Sequence, residues 1–256
     1  MAQEPKAQRL VGKIAMVTGA GSGFGAAIAT LFAAHGADVI AADINDQNGE
    51  AVASKYPNIH YLNLDVTSEA AWKNALEFVL SKFGSIDILV NNAGASYRNK
   101  PTLTVTTSDF QKCIAVNLES VYHSVNIFVS KMVEQGKGGS VINVASIGST
   151  RPRPGLVWYN ASKAAVANAT RGLAAEFGAN QIRFNGLCPL LSGTGLFSTF
   201  VGVEDTPENR NKFIGNVPLG RLADPYDVAH AALYLASDES AFITGVNLDV
   251  DGGRGV

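Results

Sequence analysis

The chain has little of what marks several protein classes. Of its 256 residues only two are cysteines, Cys113 and Cys188, and they lack the spacing of a metal-ligand pattern. Two buried or partly buried free thiols are expected, not a disulfide or a thiolate metal site. The four histidines, His35, His60, His123 and His230, are scattered without paired ligand spacing, so no metal is expected. A net charge of −2 implies no general polyanion-binding surface, which argues against a nucleic-acid partner. No run of eighteen apolar residues, signal-peptide pattern or C-terminal lipidation box is present. The expectation is therefore a protein that does not enter a membrane and works in the cytoplasm.

What the chain does have is apolar content, 46%, enough over this length for one substantial core. Strand-like apolar runs alternate with helical ones. The strand candidates are Ile14 to Thr18, Asp38 to Asp43, Ile59 to Asp65, Ile86 to Asn91, Ser140 to Ala145, Ile182 to Cys188 and Val246 to Val250. This alternation predicts an α/β fold: one seven-stranded parallel sheet with helices on both faces. Such sheets bind ligands at the carboxyl ends of their strands, where the strand order reverses. Residues 10–256 read as a single domain and residues 1–9 as a flexible polar leader.

Three chemical signals fall at those strand ends. Gly19, Gly23 and Gly25 follow the first strand in Thr-Gly-Ala-Gly-Ser-Gly-Phe-Gly and lead into a helical run, Ala26 to His35, ended by Gly36. Strand, glycine turn and helix is the order that brings backbone N–H groups and a helix N-terminus up to a pyrophosphate. Asp43, twenty-four residues after Gly19, closes the second strand. A carboxylate there accepts hydrogen bonds from the adenosine ribose hydroxyls and repels a 2′-phosphate, so NAD(H) is expected over NADP(H). Ser22, not an arginine or lysine, stands in the glycine turn, in agreement. Third, Tyr159 and Lys163 lie four residues apart, with Ser146 thirteen positions before the tyrosine. An i, i+4 pair shares one helix face, so the Lys163 ammonium is expected to stabilise the Tyr159 phenolate and draw its pKa of about 10 toward neutrality. An isolated Tyr-x-x-x-Lys is more often an ordinary exposed helix face; the nucleotide signals around it favour chemistry.

Thr18-Gly19 with Gly23 and Gly25, Asn91-Asn92-Ala93-Gly94, Ser146 and Tyr159-x-x-x-Lys163 together resemble the short-chain dehydrogenase/reductase family. The resemblance runs from Leu10 to Gly253. It implies a single-domain Rossmann fold and an NAD-dependent oxidoreductase. Such an enzyme moves a hydride between nicotinamide and a secondary alcohol or ketone, or a related alcohol or carbonyl substrate. The implied catalytic set is Asn117, Ser146, Tyr159 and Lys163. Ser146 would bind the substrate oxygen and Tyr159 exchange its proton. Lys163 would tune the tyrosine and hold the nicotinamide ribose, and the backbone carbonyl of Asn117 would help hold a water leading to the lysine. A mid-helix asparagine is unfavourable by propensity, so a local irregularity is expected there.

The implied cofactor contacts are Gly19, Ser22, Gly23, Phe24, Gly25, Asp43, Asp65, Val66, Asn91, Ala93, Gly94, Tyr159, Lys163, Pro189, Leu191 and Thr194. Family members commonly carry Pro-Gly after the sixth strand, where this chain has Pro189-Leu190. Residues of about 195–218 correspond to the family's substrate lid. Candidate substrate contacts are Tyr97, Trp158, Phe197 and Phe200 as apolar walls and Arg98, Arg151 and Arg153 as partners for an anion. For each arginine the plain alternative is a solvated loop charge. Sugar, aryl-alcohol, hydroxy-acid and 3-oxoacyl substrates all remain open. Small residues such as Ala161, Ala164 and Ala165 on the Tyr159 helix resemble the family's subunit contact, which implies a homotetramer or homodimer. A non-catalytic NAD(H)-sensing protein and an epimerase or dehydratase are the rival readings. The first need not keep Ser146, Tyr159 and Lys163 together, and the second usually carries a larger C-terminal part.

Overall fold

The computed structural model describes residues 8–193 and 197–256. The leader residues 1–7, Thr194 and the first residues of the expected lid lie outside that range. Seven strands form one parallel sheet in the order β3-β2-β1-β4-β5-β6-β7. They are β1 (Ile14–Thr18), β2 (Asp38–Asp43), β3 (Ile59–Asn63), β4 (Ile88–Asn91), β5 (Gly139–Val144), β6 (Ile182–Pro189) and β7 (Asn247–Val250). Helices α1 (Gly23–Ala34), α2 (Asp46–Ala53) and α3 (Glu69–Phe83) connect the first four strands. The order reverses between β1 and β4, so the chain leaves β1 toward one side and β4 toward the other.

Alternation along the strands divides the core. Ala15, Val17, Val39 and Ala41 face a cluster with Ile28 and Phe32, while Met16, Ile40 and Ala42 face one with Trp72 and Phe128. Successive side chains of a strand point to opposite faces, so a sheet buried on both sides needs an apolar residue at every position. β1 is buried at all five.

Strand ends differ from expectation where pairing runs out. β3 stops at Asn63, not Asp65, because its register partner Asp43 is the last residue of β2. β4 begins at Ile88, since the backbone of Ile86 is taken by the Gln135 side chain and Asp87 Oδ2 accepts the Ile14 N–H. Helix α1 starts at Gly23, three residues before the expected Ala26, so the last glycines of the turn form its first turn.

Between β4 and β5 the helical path is not uniform. It runs through α4 (Thr107–Ile114), a π-turn (Ala115–Glu119), α5 (Ser120–Ser124), a second π-turn (Val125–Val129) and α6 (Ser130–Gln135). The irregularity expected at Asn117 is therefore a π-turn. Beyond β5 come α7 (Val157–Phe177), α8 (Phe197–Val201), α9 (Pro207–Ile214) and α10 (Pro225–Ala236). A capping box at Asp224 and Asp227 with Pro225 fixes the start of α10, which packs on α1. Both cysteines are buried and free.

Candidate functional site

A cleft of about 800 Å³ lies along the carboxyl edge of the sheet. Its first wall is the turn after β1. Thr18 anchors that turn: its Oγ1 accepts the N–H groups of Asn92 (3.0 Å) and Ala93 (3.0 Å) and donates to the Val90 carbonyl (3.3 Å). Asn92 answers by donating its amide to the carbonyls of Thr18 (2.8 Å) and Gly19 (3.2 Å). These bonds staple β1 to β4 at the point where the sheet reverses. Gly19, at φ +62°, passes so close that an added Cβ would lie 2.9 Å from the Ala93 Cα. Gly25 is closer still; its Cβ would overlap the Gly19 carbonyl and the Asn92 amide.

Gly19, Ser22, Gly23 and Phe24 line the cleft. Ser22 sits extended at the N-cap of α1, and its side chain caps nothing. The first-turn amides of α1 are thus left without a side-chain acceptor, as an anion site at a helix start requires. Asp43 faces them from the end of β2, accepting the N–H groups of Gly21 (2.7 Å) and Asn45 (2.9 Å). Asp65, Val66, Ala93 and Gly94 continue the lining.

The second wall is built by β5 and α7. Ser146 follows β5, and its Oγ accepts the Gly148 N–H (3.0 Å) and hydrogen-bonds the Tyr159 phenol. Tyr159 and Lys163 share the buried face of α7, at 9% and 4% exposure. Burial pushes the Tyr159 phenol up to about 12, against a weaker downward pull from Ser146. Burial likewise pulls the Lys163 ammonium down to about 8. This corrects the expectation that the lysine lowers the tyrosine in the protein itself. Lys163 Nζ instead donates to the Val144 carbonyl at the end of β5 (2.7 Å), and low-dielectric surroundings dominate both groups.

Asn117 does not line the cleft but supports its floor. Its Oδ1 accepts the Ala95 N–H (2.8 Å), and its Nδ2 donates to the Ala95 carbonyl (2.9 Å) and to Ser162 Oγ (2.9 Å). A Cβ on Gly94 would meet Lys163 Nζ at 3.3 Å and Asn117 Oδ1 at 3.4 Å, so this glycine lets all three groups meet.

Other expectations separate cleanly. Asn91 turns into the sheet, donating to Asn143 Oδ1 (2.9 Å), and it is Asn92 that borders the cleft. Gly25 serves the approach of α1 to the turn and does not line the cleft either. Pro189 and Leu191 line it, and so does Leu190. Leu190 takes no left-handed conformation. Its N–H donates to the Val250 carbonyl (3.0 Å), and its side chain packs with Val217, Ala223 and Phe213, anchoring the segment around α9. Thr194 lies outside the described residues.

Among the substrate candidates, Phe200, Arg151 and Arg153 line the cleft, with Phe200 edge-on to Tyr159 at 5.1 Å between ring centroids. Four do not. Tyr97 is buried, its hydroxyl accepting the Trp158 N–H (3.1 Å); Trp158 stacks edge-on against Phe110; Phe197 is wholly buried against Phe213; and Arg98 is exposed on its loop. Tyr97 and Phe197 are taken away from the cleft by burial in the packing around it, whereas Trp158 and Arg98 turn outward and stay exposed. Sequence reasoning missed Thr18 and Asn92 as the staple and Arg254 beside Arg153; Phe213 lines the cleft from within the expected lid, and Leu156 lines it from the loop before α7. The Thr18-Gly19 and Asn91-Asn92 pairs carried a signal for the first two; Arg254 offered none.

Fold and cleft define a class of protein, and comparison with known proteins agrees. The chain belongs to the short-chain dehydrogenase/reductase family: residues 19–254 match the family model described as Enoyl-(Acyl carrier protein) reductase. Among individual relatives, 4-formylbenzenesulfonate dehydrogenase of Comamonas testosteroni is 44% identical over 248 residues, covering 95% of this chain and 98% of that protein. The 3-oxoacyl-(acyl-carrier-protein) reductase of Thermotoga maritima is 38% identical, covering 96% and 98%. The crystal structure of a 3-ketoacyl-(acyl-carrier-protein) reductase from Brucella melitensis, complexed with NADH, superposes with a TM-score of 0.91 at 40% identity, covering 96% of this chain and all of that one. No helix among the described residues is long and apolar enough to cross a membrane.

Proposed function

We propose that this chain is an NAD(H)-preferring oxidoreductase that transfers a hydride between nicotinamide and a secondary alcohol or ketone, with Tyr159 as the acid/base. The observation that carries this reading is the convergence of Ser146, Tyr159 and Lys163 on the same cleft as the glycine turn and Asp43. The residues fit the cofactor. Uncapped first-turn amides at Ser22 suit a diphosphate, Gly23 at φ +53° leaves open space above the turn, and the Asp43 carboxylate suits free ribose hydroxyls and opposes a 2′-phosphate. Bound there, the nicotinamide supplies the hydride acceptor or donor. The NADH in the Brucella melitensis relative supports the same preference.

The chain's own residues supply positioning and the proton. Ser146 Oγ, held by the Gly148 N–H, offers its hydroxyl to the substrate oxygen beside the Tyr159 phenol. Tyr159 gives a proton to that oxygen in reduction and takes one in oxidation. With the phenol near 12 in the protein alone, positive charge must arrive beside it before it works as a base. Lys163, on the same buried face of α7, is already in place when the phenol stands near 12, so its part is to hold the nicotinamide ribose, while Asn117 and Gly94 fix the floor beside it and the oxidised nicotinamide would bring the added positive charge.

Initial rates of NADH appearance with NAD and then NADP, over secondary alcohols, sugars and aryl alcohols, test the reading. Tyr159→Phe should lower kcat by about 10²- to 10⁴-fold while NADH affinity stays within about threefold. Wild-type-like turnover in that variant would remove Tyr159 from the chemistry, and equal use of NADP would remove the Asp43 argument.

A further inference from the structure

The loop that joins the two elements of the Tyr159 wall carries positive charge without its usual counterpart. Arg151 and Arg153, in the loop between β5 and α7, line the cleft together with Ile147, Leu156, Phe200 and Phe213. The Arg153 guanidinium lies 5.0 Å from the centre of the Phe213 ring. Among the described residues no carboxylate pairs with it. Its charged neighbour is Arg254, and burial together with that repulsion lowers its pKa.

Arg254 repeats the pattern. Its carbonyl accepts a hydrogen bond from Arg151, its Nη1 is buried with no partner, and Arg151 repels its charge. Asp251 is the one carboxylate acting on it, and the oxygens of Asp251 are occupied by the Gly253 and Gly255 amides. Three other arginines are matched directly, Arg9 by Glu239, Arg210 by Asp205 and Arg221 by Asp227, and the partly buried Arg183 donates to the carbonyls of Leu235, Ser237 and Ile243. A partly desolvated cation without a partner is costly, and a ligand that brings the missing charge removes the cost.

We propose that this end of the cleft binds an anionic group of the substrate, a carboxylate or a sulfonate, through Arg153 with Arg151 beside it. The substrate is then a flat, apolar alcohol or carbonyl compound bearing one negative charge, its body held between Phe200 and Phe213. The planar guanidinium fork matches a two-oxygen face, and the apolar lining matches an aromatic body better than a sugar. The cofactor's phosphates do not compete for this role, because the glycine turn follows β1, two strands away along the sheet edge from β5. This proposal rests on the oxidoreductase reading for its reactive group but not for its anion site.

The test uses full-length protein with NAD and two matched series: 4-(1-hydroxyethyl)benzoate and 1-(4-sulfophenyl)ethanol against 1-phenylethanol and the methyl ester of the benzoate. Oxidation of each alcohol to its ketone yields one NADH and one proton. The anionic members should exceed the neutral ones in kcat/KM by about tenfold or more. Arg153→Gln should lower that ratio by about ten- to a hundredfold, mainly through KM, with Arg153→Lys in between because charge stays and the fork is lost. Arg171→Gln, exposed on α7, controls for the change in net charge.

A second readout needs no turnover: calorimetric binding of benzoate and benzenesulfonate to the protein with NADH, weakened in Arg153→Gln. Anion binding through Arg153 without oxidation of any alcohol would sustain this site and overturn the oxidoreductase reading. Equal rates on neutral and charged alcohols, with Arg153→Gln shifting both alike, would overturn the anion site and leave the oxidoreductase reading standing. A loss of assembly mass in Arg153→Gln with the ratio unchanged would give the arginine to a contact between copies of the chain and also overturn the proposal.

Discussion

Lys163 is held in the folded protein at a thermodynamic cost. Its ammonium is almost wholly buried, donates one bond to the Val144 carbonyl and has a pKa pulled down to about 8 from an ordinary 10.5. Below pH 8 both folded and unfolded chains carry the proton, and burying it costs about 3 kcal/mol. Between 8 and 10.5 the unfolded chain binds more protons than the folded one, so stability rises with pH and the cost fades. Lys163→Met should therefore abolish turnover yet raise the melting temperature at pH 7 by about 5 °C. That gain should shrink steadily toward pH 10.5, as calorimetry at several pH values would show. A lower melting temperature at pH 7 would mean that the Val144 bond outweighs desolvation. At this scale the site was legible in part. Ser146, Tyr159 and Lys163 could be found because spacing on one helix and one strand end fixes where they meet. Their protonation could not, since burial depends on residues far away in sequence. Arg254 lies about a hundred positions from Arg153, and only folding makes them neighbours.

Helix α1 shows how closely an element can be set by one glycine. Its second glycine, Gly25, faces the Gly19 carbonyl and the Asn92 amide with no room for a methyl group. Gly25→Ala should push the helix start away from the turn, cost about 1–3 kcal/mol in urea unfolding, and weaken NADH binding measurably. Unchanged binding alongside lost stability would separate the helix position from the nucleotide site. Strand placement read well from sequence for the central strands β1, β4 and β5, which are buried at nearly every residue; the edge strands β3 and β7 are only partly so. The boundaries that moved at β3 and β4 are set by register with a neighbour or by a side chain from another element, and the one at α1 moved because the last glycines of the turn enter the helix. The π-turn at Asn117 could be expected from one misplaced polar residue, and the second, at Val125–Val129, contains the same kind of mid-helix asparagine, Asn126, which sequence reasoning passed over.

Over the whole molecule, one sheet carries both the nucleotide wall and the Tyr159 wall, so the chain should unfold as one unit. Far- and near-ultraviolet dichroism should give coincident thermal transitions, and NADH at a hundred times its dissociation constant should add about 2.7 kcal/mol, moving both together by roughly 5–10 °C. Separate transitions would refute a single domain. The two walls nevertheless differ in how they are held. On the β1 side, Thr18 and Asn92 close a ring of bonds across the strand reversal, whereas the α8 and α9 side is held by the packing of Leu190, Phe213 and Val217. The staple makes the crevice a gauge with one jaw fixed. A molecule lodged in the crevice meets backbone bonds along the β1 edge and side-chain surfaces along the other, so a change in its size is met by repacking of Leu190, Phe213 and Val217 sooner than by breaking the staple.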